Sequence, residues 1–225
     1  MSQGNKLMAV MPMIFLVSIA FPALAGDLTP PEAPGSTMHT LEEIYTIVQD
    51  TNSKVNGGAS GDQALVPKSG QTTSYATGDD GDHQAGLAWP DPRFTDHGDG
   101  TVTDNLTGLI WLKDADCFGA QTWANALVAA NTLNSGECGL SDDSIEGGWR
   151  LPQVRELHSL VDFGNYNPAL PAGYPFSGVQ PSSYWSATTN AYYPDGAWYV
   201  NLPGGSVNNY LKTNGYYVWP VRDGQ

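Results

Sequence analysis

The sequence predicts an α+β fold, with two helices and a short-stranded, loop-rich antiparallel sheet behind a short helical stalk, and three observations carry this. Trp89, Trp111, Trp123, Trp149, Trp185, Trp198 and Trp219 are all the tryptophans of the chain, and none precedes position 89, so the core must be C-terminal. Two segments place apolar residues at helical spacing: Trp123, Leu127, Ala130 and Leu133 within 121–134, and Val154, Leu157, Leu160 and Val161 within 153–163. The rest of that region reads as short runs separated by turn chemistry such as Pro194-Asp195-Gly196, Pro203-Gly204-Gly205 and Thr213-Asn214-Gly215. Helices early and strands clustered late is the order of an α+β domain.

The elements follow in chain order. Lys6 precedes an almost wholly apolar stretch, Leu7 to Leu24, and Ala23-Leu24-Ala25 fits a small-residue cleavage site. Residues 1–25 are therefore expected to be a signal peptide, removed on export. A membrane span of about 20 residues is the competing reading, which Pro12, Pro22 and the cleavage pattern disfavour. Residues 26–56 hold a Pro-rich lead, Thr29 to Pro34, and a short helix with Leu41, Ile44, Val48 and Val55, and Thr51 filling the one gap, at a 3-4-3-4 spacing. That spacing matches two heptads of a coiled coil, so Leu41, Ile44 and Val48 would form a homo-oligomer seam; packing of the helix on its own domain is the equal alternative. Residues 57–88 are Gly/Ser/Thr/Asp-rich and read as a linker with limited packing. Residues 89–225 form the domain proper. Its expected strands are Thr101–Asp104, Leu109–Lys113, Tyr184–Ala187, Ala197–Leu202, Val207–Leu211 and Tyr216–Arg222, and Pro152 is expected to open the second helix.

Charge and cysteine usage narrow the setting. The chain has 9 basic and 23 acidic residues, a formal −14, and loss of Lys6 with the signal makes it 8 against 23, or −15. Such a field repels nucleic acid and anionic membranes at long range. Cys117 and Cys138 are the two cysteines, and in an exported chain a lone pair reads as a disulfide. They bracket the first domain helix. Two thiols with no His close in sequence fall short of the usual zinc ligand set.

Several strings also resemble a known family. Phe94 to Trp111, the cysteine pair, Gly148-Trp149-Arg150-Leu151-Pro152 running on to Leu157, Tyr184 to Thr188, Ala197 to Val200 and the closing Val218-Trp219-Pro220-Val221-Arg222 occur in the order seen in the Lcl C-terminal domain family. That is a bacterial domain of unknown function, similar to the C-type lectin-like fold. The resemblance implies two helices packed on a twisted, looped sheet with a loop region that carries recognition. One collagen-like bacterial adhesin with such a domain binds sulfated glycans, which implies surface adhesion by analogy. The acidic balance argues against a polysulfated ligand here.

The chemical readings point away from catalysis. Asp96-His97-Gly98-Asp99-Gly100 suggests a calcium loop, but the register puts Thr95 at its first position and Leu106 at its twelfth, so a hairpin turn is expected. Gln180-Pro181-Ser182 lacks the third ligand of a calcium-dependent sugar site, and no metal or cofactor is expected. Trp149 to Pro152 is also similar to a segment of formylglycine-generating oxidases, but those need a reactive cysteine pair late in the chain, and both cysteines here precede it. His39, His83, His97 and His158 are scattered without metalloprotease pairing, and no nucleophile elbow or phosphate loop occurs. His158 is expected to pack, Arg155 and Glu156 to make local ion pairs, and Arg150 to anchor a loop through backbone carbonyls. Trp111, Trp149, Trp185 and Trp198 are expected in the core. The most ligand-like stretch is Asn190 to Gly196, with Tyr192, Tyr193 and Asp195, followed across the predicted strands by Asn208, Asn209 and Tyr210, since Tyr and Asn in loops offer flat apolar area and hydrogen bonds at low entropic cost. The expected function is an exported, non-catalytic binding or adhesion module for a glycan or protein ligand, at the periplasm, cell surface or outside the cell. The alternative is a structural or assembly subunit of a bacterial surface structure.

Overall fold

The computed structural model describes residues 66–224. The expected signal peptide and the Leu41, Ile44, Val48 seam lie outside the described residues. In chain order the elements are α1 (Asp80–His83), β1 (Phe94–Asp96), β2 (Thr101–Asp104), β3 (Ile110–Leu112), β4 (Ala120–Gln121), α2 (Trp123–Thr132), α3 (Val154–His158), β5 (Ser183–Thr189), β6 (Gly196–Asn201), β7 (Ser206–Leu211), β8 (Tyr216–Tyr217) and β9 (Val221–Arg222). The fold is α+β, with few helices and two sheets where one was expected. One sheet has the order β1-β2-β3-β9 and the other β4-β8-β5-β6-β7. Every strand pair is antiparallel except β5 with β8.

The first sheet begins with the hairpin the sequence predicts. Phe94 pairs with Asp104 and Asp96 with Val102, and His97 N–H donates to Thr101 O to close the bend. Asp99 accepts from Thr101 N–H and its hydroxyl, at 2.9 and 2.6 Å, which fixes the turn. Gly100 is required: its φ is +87°, and a Cβ there would lie 2.5 Å from Gly139 O. The hairpin delivers Trp111 and Leu112 fully buried to the core.

Alternation in β5 sends Tyr184 and Trp185 to opposite faces of the second sheet. Tyr184 joins the larger cluster with Trp111, Trp149, Leu157, Val200 and Trp219, whereas Trp185 packs with Ala126 and Ala130 of α2, Leu151, Ala197 and Val218. Strand β5 is therefore covered on both sides, and Trp219 sits edge-on to Phe176 and Trp111 at 4.8 and 5.7 Å. Three indole N–H groups of this region are satisfied by backbone: Trp219 donates to Leu112 O, Trp185 to Gln121 O and Trp123 to Ser186 O. Cys117 and Cys138 form the expected disulfide, 5.7 Å between Cα atoms, and tie the chain before β4 to the chain after α2.

Five expectations are corrected. The helix expected over 153–163 is α-helical only at Val154–His158: beyond it Leu160 and Val161 bond to the third residue back, Asp162 N–H goes to Ala169 O and Phe163 N–H to Ser69 O. Tertiary acceptors have taken the donors that would have extended it. The strand expected over 216–222 is two strands in different sheets, because Pro220 has no N–H for a ladder and Val218 and Trp219 cross the core between the sheets. The helix expected from residue 121 starts at Trp123, since Ala120 and Gln121 pair with Tyr217 and Tyr216. Trp198 is only half-buried, as it sits beside the exposed strand β7, where its partner is Asn209. The described part of the expected linker, 66–88, is packed: Pro67 bridges Leu87, Asp79 caps α1, and Trp89 Nε1 donates to Lys68 O at 2.9 Å.

Candidate functional site

Two segments far apart in sequence meet beside the β6–β7 hairpin. Strand β5 shifts register against β6 between Trp185 and Thr189, a bulge that ends the strand and releases the chain at Asn190. Asn190 is buried, and its Oδ1 accepts from the backbone N–H of Tyr192 at 2.9 Å and of Tyr193 at 3.3 Å, making an Asx turn. Gly196 N–H then donates to Tyr193 O at 2.8 Å, and Asn190 N–H to Gly196 O at 3.0 Å. A Cβ at Gly196 would come within 3.2 Å of Tyr210 O and 3.3 Å of Tyr193 O, so glycine is what allows the loop to lie against β7.

The result is a concavity of about 320 Å³ lined by Tyr192, Tyr193, Asp195, Asn209, Tyr210 and Leu211, with Pro194 and Gly196 at its back. Tyr192, Tyr193 and Tyr210 are 80%, 62% and 50% exposed. The first two stand edge to face, ring centroids 4.5 Å apart, so each braces the other. Antiparallel register sets the floor: Gly196 faces Leu211, Ala197 faces Tyr210 and Trp198 faces Asn209. Lys212 N–H donates to Asp195 O and closes the rim. The arrangement offers three phenol groups, a carboxylate and a carboxamide around an open apolar depression. It can stack on a flat ligand face and hydrogen-bond its edge.

Of the six residues the sequence singles out, the structure brings five together. Asn208 is the exception: it pairs with Tyr199, does not line the concavity, and turns its Oδ1 back to accept the N–H of Asn209 at 2.8 Å. Leu211 was missed. Asn190, which heads the ligand-like stretch, shapes the loop through its Asx turn. Leu211 reads as an ordinary strand residue, and only the β6–β7 register shows that it lies at the rim.

The other polar candidates have structural roles. Arg150 is gripped by Glu156 through two bonds of 2.7 and 2.8 Å and by Asp223 at 2.6 Å, which hold its guanidinium charged well above the usual range; the expected anchoring to carbonyls is replaced by carboxylates. Glu156 also accepts the N–H of Gln153 in a capping box, which fixes the start of α3. His158 packs, its Nε2 3.2 Å from Gly205 O and its ring edge-on to Phe163. Asp96 bonds Lys113 at 2.7 Å, and that bond holds its carboxyl below the ordinary range. Among the described residues, no helix is long and apolar enough to cross a membrane.

Comparison with known proteins bears on identity. No curated protein matches the chain. The family model of the Lcl C-terminal domain matches residues 100–222, which takes in the hairpin from β2 onward, the disulfide, both long-sheet hairpins and the candidate site. The match spans more than half of the chain, which therefore belongs to the Lcl C-terminal domain family.

Proposed function

We propose that the chain is an exported, non-catalytic binding module in which a C-type lectin-like domain presents the Tyr192–Tyr193 loop and strand β7 to a glycan or protein ligand. One observation carries the reading: residues from two separate segments converge on an open concavity in which three tyrosines are at least half exposed. Aromatic side chains left in water at a preorganised surface are what a recognition site retains and what a purely structural loop would bury. Export is supported by the apolar stretch and cleavage pattern of residues 1–25 and by the disulfide. Screening the full-length chain against a glycan and matrix-protein array tests this reading. It expects at least one saturable ligand, and a panel without one contradicts it.

Strand β7 favours a second reading, assembly. It is a sheet edge of six residues without charge or proline, mostly exposed, and such an edge can accept a further strand. In that case the chain would be a structural subunit, and association would persist when the tyrosines are removed. Placing a charge at Val207 would abolish it.

A further inference from the structure

A second cavity, of about 450 Å³, lies on a different part of the domain, between the chain at 66–89 and the end of α3. Its volume falls in the range of about 300–1,000 Å³ usual for small-molecule sites. Trp89, Leu106, Val161 and Phe163 give it an apolar and aromatic wall. The wall is held by backbone bonds: Lys68 N–H to Leu87 O, Trp89 Nε1–H to Lys68 O and Phe163 N–H to Ser69 O, each 2.9 Å.

The distribution of cations marks this cavity. Among the described residues, Arg93, Lys113, Arg150 and Arg222 each pair with a carboxylate, and Lys212 lies over the Trp123 ring at 4.0 Å. The two remaining basic side chains, Lys68 and Arg155, have no hydrogen-bond, carboxylate or aromatic partner among the described residues, and both line this one cavity. Arg155 is exposed and Lys68 half-buried, so both charged groups are open to an incoming anion. Asp80 also borders the space, but the Ser69 hydroxyl donates to it, and one carboxylate against two cations leaves the cavity net positive.

We infer that this cavity binds a small monoanion, a carboxylate carried on an apolar or aromatic body, with Arg155 and Lys68 at the carboxylate and Trp89 and Phe163 against the body. A net charge near +1 inside a strongly negative molecule suits one carboxylate and disfavours a polyanion. The site shares no residue with the tyrosine concavity, so it stands or falls separately from the proposed function.

Calorimetric titration of the full-length chain with 3-phenylpropanoate, octanoate and the neutral 3-phenylpropanamide tests it. At least one acid should bind saturably, the amide should bind about tenfold more weakly or worse, and Arg155→Gln should weaken the acid by a similar factor, as loss of a charge-assisted hydrogen bond requires. The Tyr192, Tyr193 and Tyr210 to Ala variant should bind the acid as the unchanged chain does. Absence of saturable binding by both acids, equal affinity for acid and amide, or unchanged affinity in Arg155→Gln would each overturn the proposal. Loss of acid binding in the tyrosine variant would overturn it too. Should Arg155→Gln fail to fold, the comparison of acid with amide decides alone.

Discussion

Arg93 and Asp104 show how far a single pair of residues can reach. Asp104 is fully buried and accepts from Arg93 Nε at 2.7 Å and Nη2 at 3.0 Å, from Leu106 N–H at 2.9 Å and from the Thr107 hydroxyl at 2.8 Å. The same guanidinium donates to Ser159 O and lies 4.7 Å from the Trp89 ring and 5.0 Å from that of Phe94. The pair thus joins the entry to β1, the β2–β3 turn and the end of α3. Removing one partner leaves a buried charge alone, so Asp104→Ala should cost about 3–5 kcal/mol in urea unfolding. Asp96→Ala breaks an exposed pair with Lys113 and an exposed turn bond from Gly98 N–H, and should cost only about 1 kcal/mol. Nothing in the sequence distinguishes Asp104 from Asp96 as a buried partner, because both lie in the same Asp-rich string and on the same face of the β1–β2 pair; the difference is that Asp104 sits on the inner strand β2 beside Arg93, whereas Asp96 ends the edge strand β1 at the bend.

Titration at single residues also shapes stability. The Lys113 hydrogen bond depresses the Asp96 carboxyl; at Asp99 burial opposes ionisation, but the bonds from Thr101 outweigh it, so both lie below the ordinary value. The folded chain then gives up protons that the unfolded chain keeps, and this stability is present above about pH 4 and lost as pH falls through the depressed values. Burial pushes the Tyr184 and Tyr216 phenols up. The folded chain keeps those protons longer, so stability falls as pH rises from about 10. Melting temperature against pH should therefore decline at both ends, and a profile flat from pH 9 to 11 would contradict the alkaline limb.

At the scale of elements, strand β2 and the hairpins β5–β6 and β6–β7 were legible, because alternation and Pro/Asn/Gly turn chemistry are local signals. Strand β4 was not, nor was the break that separates β8 from β9, since two-residue strands are defined by their partners and not by their own residues. The same holds for α3, whose end is set by Ser69 and Ala169 taking its donors. The disulfide closes a loop with a sequence separation of 21. Cys117→Ser should cost about 3 kcal/mol by the chain-entropy relation, read as a lower urea midpoint. The helix expected around Leu41, Ile44 and Val48 has its own test: sedimentation of residues 26–225 against 66–225, a boundary that spares the Pro67–Leu87 bridge. The seam predicts a larger assembly for the longer chain, and equal protomer counts would sink it.

At the scale of the molecule, the tryptophans marked where the core lies, with Trp111, Trp149, Trp185 and Trp219 fully buried in it, and the turn-rich loops marked the candidate surface. What the sequence left hidden is convergence: that Asn209 and Leu211 meet Tyr192 and Tyr193 follows from the β6–β7 register, and the same register pairs Asn208 with Tyr199, further along β6 from the loop. Hence the central claim is about a surface and not about a motif. Its most direct test is the variant with Tyr192, Tyr193 and Tyr210 all changed to Ala, compared with the unchanged chain for melting temperature and for binding to the ligand an array identifies. Because all three side chains are at least half exposed, the account predicts a melting temperature within a few degrees of the original and loss of binding by about 2 kcal/mol or more. A variant that folds normally and binds with undiminished affinity would contradict it.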